Sequence, residues 1–385
     1  MRMNAVRQGI LSVLGVCIAI PAHAAGITVY KDGEKYVKIG GRIQVQYHNE
    51  DPDNGDETDE LFLRRFRPYI EGSLHKDWKG KFQFDFGKAD DDNEVAVKDA
   101  YMEYKGFEFA KVLVGNVKTS FSREFLTSSK KQQLVERSFV GDHNYGTPDR
   151  SLGLHLKGSA GDKVTWGATL AQADIDPDAS KLDFDTPVNK NDDFNEGWVY
   201  AARADFHPLG VMKMSQGDFG EETRVSIGVA AYRWSNDDDN NTYTVDGVSA
   251  NPDKADVDEA TGFEVSGALR MAGFSVDAQY NMISTDTVDG NFTGGIFENG
   301  STDLDNWAVE GGYMVMPSTL ELVASYQSQD ADNYGTEWTR TSFGANWFIH
   351  KHDIKLQATY RKNKDKDGVK GDDEDEMFVQ AQYVF

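Results

Sequence analysis

The feature that most constrains this chain is an alternation of apolar and polar side chains that recurs through nearly its whole length. From Val37 the apolar or small positions are Val37, Ile39, Gly41, Ile43, Val45 and Tyr47, with Lys38, Gly40, Arg42, Gln44, Gln46 and His48 between them. A strand turns successive side chains to opposite faces, so period two specifies a sheet with one apolar and one polar face, and not an amphipathic helix. The same pattern runs through Trp78–Phe86, Leu152–Leu156, Phe274–Met282 and Ile354–Tyr360. Sixteen such segments can be marked between residues 36 and 385. Short connections with turn chemistry (His75-Lys76-Asp77, Gly161-Asp162, Ala272-Gly273, Pro317-Ser318, Lys351) alternate with long polar ones such as 49–60, 174–195, 235–259 and 362–375. The connection 207–221 is the exception, being long for a turn.

An even number of antiparallel strands with short connections at one end and long ones at the other is the pattern of a bacterial outer-membrane barrel. The predicted fold is therefore all-β: a 16-stranded antiparallel transmembrane β-barrel with short periplasmic turns, long extracellular loops and an inward-folded third loop. A soluble sandwich or solenoid would alternate as well. Against it, a sandwich of this length needs two cores and a linker, and no linker is visible. Aromatic residues such as Tyr47, Trp78, Trp198, Trp307, Trp347 and Tyr360 gather at segment ends, as interfacial girdles require. Met377, Val379, Ala381, Tyr383 and Phe385 share one face of the last segment, an ending that matches, by association, the assembly signal of such barrels.

Residues Met1 to Ala24 read as a secretory signal, with Arg2 and Arg7, an apolar stretch Gly9–Ile20 and a small-x-small site Ala22-His23-Ala24. Cleavage after Ala24 would leave 25–385 as the barrel and remove Cys17, the single cysteine, which excludes a disulfide framework and a Cys-based zinc site. Beyond that segment no run approaches the ~18 apolar residues of a membrane helix. The expected surroundings are outer-membrane lipid and lipopolysaccharide.

Charge bears on function. With 64 acidic against 40 basic residues the formal charge is −24, which argues against nucleic acid as a partner. Sixteen strands would enclose a wet lumen lined by the polar faces. Parity turns Lys38, Arg42, Arg65, Arg67, Lys79, Lys81, Lys157, Lys163, Arg203, Arg224, Arg270, Arg340, Lys355 and Arg361 inward, and the inward bases outnumber the inward acids, while most acids lie in the long loops. The third loop, 118–149, departs from the others. It carries Lys118, Arg123, Lys130, Lys131 and Arg137, with apolar anchors at Phe121, Phe125, Leu126, Leu134, Val135 and Phe139. Such a loop is expected to pack on the inner wall and narrow the pore, where basic rings select anions. The candidate anion-binding residues are Arg42, Arg65, Arg67, Lys118, Arg123, Lys130, Lys131 and Arg137. If these cations instead pair with carboxylates, the pore is a general or weakly cation-preferring one.

Leu63-Arg64-Arg65-Phe66-Arg67, Glu71-Gly72, His75-Lys76-Asp77-Trp78, Phe82-Gln83-Phe84-Asp85-Phe86, Lys98-Asp99-Ala100-Tyr101, Val114-Gly115-Asn116-Val117-Lys118, Leu126-Thr127-Ser128-Ser129-Lys130 and Glu136-Arg137-Ser138 resemble the phosphate-selective porin O and P family. The similarity is dense over about residues 36–160 and is mainly barrel pattern beyond. It implies a trimeric porin that passes phosphate-like anions, with Arg65 and Arg67 as wall cations, Lys130 and Arg137 in the constriction loop and Lys118 and Arg123 at its root. The best-known members carry a ladder of alternating arginines. Here only Arg65 and Arg67 alternate, which favours a broader anion preference over tight phosphate selectivity.

Two other functions fit the sequence less well. An enzyme would need a nucleophile within reach of a base, and no Gly-x-Ser-x-Gly elbow accompanies any histidine, so the expectation is a non-enzyme. Asn363, Asp365, Asp367 and Glu374, with Gly368, nearly fit the alternate-oxygen spacing of a calcium loop. A solvated acidic loop is the plainer reading. A calcium-bridged structural barrel is the alternative, and no other cofactor is expected.

Overall fold

A computed structural model describes residues 26–87, 95–185, 188, 197–220, 222–236 and 241–385. The expected signal segment and its cleavage point lie outside these residues. Nineteen strand segments form one antiparallel sheet: Lys35–Gly40 pairs with Tyr69–His75 and Arg42–Pro52 with Thr58–Phe66, and from Tyr69–His75 onward each segment pairs with the next. Each of the sixteen alternating segments falls on a strand. The first two are each interrupted, between Lys35–Gly40 and Arg42–Pro52 at Gly41, and between Thr58–Phe66 and Tyr69–His75 at Arg67-Pro68. Pro68 has no N–H to give to a ladder. A strand not anticipated from the alternation, Ile27–Asp32, folds back on Lys35–Gly40. The last strand, Glu374–Val384, returns to pair with Arg42–Pro52, from Glu374↔Pro52 to Val384↔Arg42. Gly41 and Phe385 then exchange backbone hydrogen bonds at 2.9 and 3.0 Å.

The sheet is inverted relative to a water-soluble one. Leu61, Leu74, Met102, Tyr200, Ile227, Leu322 and Phe343 are exposed, whereas Gln44, Gln46, His155, Glu264, Asn281, Asn306, Gln327 and Asn346 are buried. Aromatic side chains are exposed at both ends of the strands: Trp78, Phe206, Phe274, Tyr313 and Trp347 near the short turns, Trp198, Tyr200, Tyr326 and Tyr360 near the long loops. Such an apolar skin with aromatic margins suits a bilayer. The short turns take the backbone geometry their sequences suggest. Ala272 and Gly273 both have positive φ (52° and 85°), as a two-residue hairpin loop requires.

An apolar cluster lies inside the sheet toward the long-loop end, built from Phe121, Ile175, Leu182, Phe184, Trp234, Ile296, Phe297 and Leu304. It joins the root of the third loop to the loops 174–185 and 289–300. At the opposite end the described part of the long connection, 207–220, tucks inward instead of turning tightly. The Gln216 N–H donates to Lys131 O at 3.1 Å, the Gln133 N–H to Gln216 Oε1 at 2.8 Å, and Gln216 O lies 2.9 Å from His352 Nε2.

Candidate functional site

The third loop is folded against the polar face of the sheet. Its anchors Phe121, Phe125, Leu134, Val135, Phe139 and Val140 are all buried. A buried loop must find partners for its backbone, since an unpaired N–H or C=O away from water is costly. One half of the wall supplies them with amide side chains. Gln279 and Asn281 donate to Val140 O (3.0 and 3.1 Å), Asn306 to Tyr145 O (2.9 Å), Asn346 and Gln357 to Gln133 O (both 2.8 Å), and Gln382 to Lys130 O (3.0 Å). Going the other way, the Phe139 N–H donates to Gln327 Oε1 at 2.9 Å and the Glu124 N–H to Gln279 Oε1 at 3.0 Å. Alternation alone did not single out these amides, although their spacing along the later strands was visible.

Three arginines of the same half are paired with carboxylates. Arg203 binds Asp205 (2.7 Å) and Glu264 (2.7 Å), Arg270 binds Asp277 (2.6 Å), and Arg361 lies 3.6 Å from Glu376. Arg340 donates to Asn363 Oδ1 at 2.8 Å and lies over the rings of Phe139 and Trp338 at 4.1 and 4.3 Å. Arg123 belongs here too. It is buried against Asp277 at 3.2 Å and Ser226, and it borders only a small void.

Opposite the loop a cavity of about 640 Å³ separates it from the strands between Arg42 and Lys157. Arg42, Arg65, Arg67, Lys118, Lys130 and Arg137 all line it, so six of the eight expected anion residues converge. Lys131 does not; it lines a separate cavity of about 420 Å³ beside Lys213, Arg224 and Lys351 at the short-turn end. Some lining cations are paired: Arg67 with Asp85 (2.5 Å), Lys81 with Asp99 (2.6 Å), and Arg150 with Asp99 (2.9 Å) and Asp149 (3.4 Å). Arg42, Lys98, Lys118, Lys130, Arg137 and Lys157 have no carboxylate within ion-pair distance among the described residues. Lys118 and Arg137 converge on the Phe125 carbonyl and lie over its ring at 4.4 and 5.3 Å.

Three lining cations, Arg64, Lys98 and Arg150, are missing from the parity assignment. Two of them owe their direction to β-bulges. The ladder passes from Gln44↔Arg65 to Val45↔Leu63, leaving Arg64 as an extra residue, and from Gln83↔Asp99 to Phe84↔Val97, leaving Lys98 extra. A bulge opposes two residues to one and re-aims a side chain. Arg64 and Arg65 therefore both reach the cavity, as do Lys98 and Asp99. Asn116 satisfies the displaced Lys98 carbonyl at 2.8 Å. Next to it, Gly115 takes φ +133°, where an added Cβ would lie 2.1 Å from Ala100 O.

In the loop, burial pulls the Lys130 ammonium down, and Arg42 pulls it further. Burial likewise lowers Arg137 against the opposing pull of Glu124 and Asp142. Burial raises the Glu136 carboxyl, but Arg64 outweighs it and holds the group well below the usual carboxylate range.

The four residues of the calcium-like spacing are not gathered into a ligand set. Asn363 Oδ1 accepts from Arg340, both Glu374 oxygens face Lys366 (3.2 and 3.1 Å), and Asp365 Oδ1 accepts from the Gly371 N–H. Asp367 sits in the turn 366–368 with φ +52°.

A sheet with an apolar skin, a polar lumen and a loop laid along its inner face defines a diffusion porin of the outer membrane. Residues 37–385 match the family described as phosphate-selective porin O and P, and the chain belongs to that family. It is 25% identical to Porin O of Pseudomonas aeruginosa over 98% of this chain and 94% of that protein. Solved structures similar in fold include an anion-selective porin from Comamonas acidovorans (TM-score 0.60, 11% identity, covering 91% of this chain and 100% of that one). The trimer form of OmpT of Vibrio cholerae is another (TM-score 0.54, 16% identity, 91% and 99%).

Proposed function

We propose that this porin passes small anions, phosphate-like oxyanions among them, by passive diffusion through the basic cavity between the third loop and the Arg42–Lys157 wall. The sheet closes as a sixteen-stranded barrel if each interrupted segment is counted once, and the short turns face the periplasm. Lipid and lipopolysaccharide surround it, and three copies assemble as a trimer. One observation carries the functional reading: six cations without a carboxylate partner among the described residues border the same cavity. Fixed positive charge in a narrow, low-dielectric passage raises the local concentration of anions and repels cations. Arginine adds a planar fork suited to oxyanions, whereas lysine contributes a point charge. The test is the reversal potential of the purified channel in a planar bilayer under a KCl gradient, where chloride preference is expected.

A general or cation-preferring pore is the second reading, favoured by the paired Arg203, Arg270 and Arg361. Potassium preference in that measurement would establish it.

A further inference from the structure

The basic cavity of about 640 Å³ adjoins a second one of about 600 Å³ toward the long-loop end, and Arg64, Glu136, Arg137 and Asp142 border both. A bidentate pair stands on this boundary. Glu136 Oε1 accepts from Arg64 Nε at 2.6 Å and from Gln46 Nε2 at 3.0 Å, and Oε2 accepts from Arg64 Nη2 at 3.0 Å. Arg65 Nη2 lies 3.9 Å away. The group sits in the fork-to-fork geometry by which arginine recognises a carboxylate or a phosphate.

We infer that Glu136 is a tethered competitor, a loop carboxylate that occupies the oxyanion seat of Arg64, Arg65 and Gln46 and yields it to a permeating oxyanion. This rests on the anion-porin reading and adds the chemical class and position of its binding step. Two observations distinguish a seat from an ordinary structural ion pair. The pair lies between two open cavities, so that a solute crossing the boundary meets it. The donors also exceed what one carboxylate uses, since Arg65 Nη2 stays 3.9 Å from Glu136 and Arg65 Nε is buried with no partner among the described residues. A phosphate brings more acceptor oxygens than a glutamate and can engage those spare N–H groups. A halide cannot span the fork, so competition is specific to oxyanions. A built-in competitor also weakens retention of the solute, and conduction requires binding weak enough for it to leave.

The experiment measures chloride current through the full channel in a bilayer, with inorganic phosphate as blocker. Glu136→Gln is expected to lower the phosphate concentration for half-block by about tenfold, the size of one charge-assisted contact. Glu136→Asp keeps the charge but draws it back from the fork, and should shift half-block the same way by a smaller factor. Heat-modifiable electrophoretic mobility checks that each variant is folded. If chloride preference rises in Glu136→Gln while phosphate half-block stays put, Glu136 is only a fixed charge and the inference fails. Unchanged half-block in both folded variants overturns it as well. A wild-type channel that prefers potassium instead overturns the anion reading beneath it.

Discussion

The two halves of the inner wall use the same alternation for opposite ends. Strands from Trp198 to Val384 present amides that hold the third loop by its carbonyls, and Arg203, Arg270 and Arg361 are neutralised by Asp205, Glu264, Asp277 and Glu376. Strands from Arg42 to Lys157 leave a cavity and keep several cations with no carboxylate partner among the described residues. The difference teaches that an inward charge in a barrel is not in itself a functional one. A neutral amide can donate to a carbonyl without bringing in an ion, so it suits the side that grips a loop. A net field requires cations whose partners are missing, and those lie across the gap.

That contrast can be broken at several points. The largest effect is expected at Arg203, whose removal strands Asp205 and Glu264 in a buried site. Arg203→Leu should cost about 3–5 kcal/mol, read by urea unfolding in lipid, with the chloride preference of surviving channels unchanged; lost selectivity at full stability would erase the distinction between the halves. Next comes the loop's grip. Phe139 is fully buried between Tyr145 and Trp338 (centroids 5.0 and 4.8 Å). Phe139→Ala should remove about 3–5 kcal/mol of packing and raise single-channel conductance as the loop loosens. On the cationic side, Arg42→Glu with Lys130→Glu should reduce the chloride-to-potassium permeability ratio by at least about tenfold, equivalent to ~1.4 kcal/mol. Stability should change little, because neither residue has a carboxylate partner among the described residues to abandon.

Lys98→Gln should lower the same ratio by a smaller factor, about two- to threefold, as one point charge among several. The subtlest test uses pH. Burial disfavours a charged His143, but the hydrogen bond to Asp183 at 2.7 Å and the Asp142 and Asp149 carboxylates outweigh it, so its pKa is pushed up to about 9. A raised folded pKa stabilises fully below the unfolded value of about 6.5, and this contribution is lost as pH rises through about 9. Proteolytic cutting of the 174–185 loop should therefore increase between pH 8 and 10 in the native chain, and His143→Gln should abolish that pH dependence.

Much of the architecture could be read from alternation, because period two is a direct consequence of strand geometry. The strand positions and the inward direction of Arg42, Arg65 and Arg67 follow from it, whereas the inward course of the third loop, with Lys118, Lys130 and Arg137, follows from that loop's apolar anchors. What could not be read is local. Parity assumes one residue per step, and an extra residue resets it, so Arg64 and Lys98 were assigned to the lipid side. Arg123 looked like a pore cation because spacing does not reveal that Asp277 stands opposite. Lys131 shares its neighbour's chemistry, but it faces a different cavity because the turn Ser129–Lys131 divides the two side chains. The inward 207–220 connection begins with a turn at Pro208 and Gly210, but its further length, which supports the loop from below, has no signal in the alternation.

The paired bulges have a consequence for how such a passage can vary. A pleated strand points only every second residue toward the water, which caps the linear charge density of the lining at one group per ~6.6 Å of strand. An insertion of one residue at the right step escapes that ceiling and seats two neighbouring side chains on the wet side, while the rest of the strand keeps its orientation. The permeation path of a barrel can thus gain a cation by lengthening a strand, with no existing side chain exchanged.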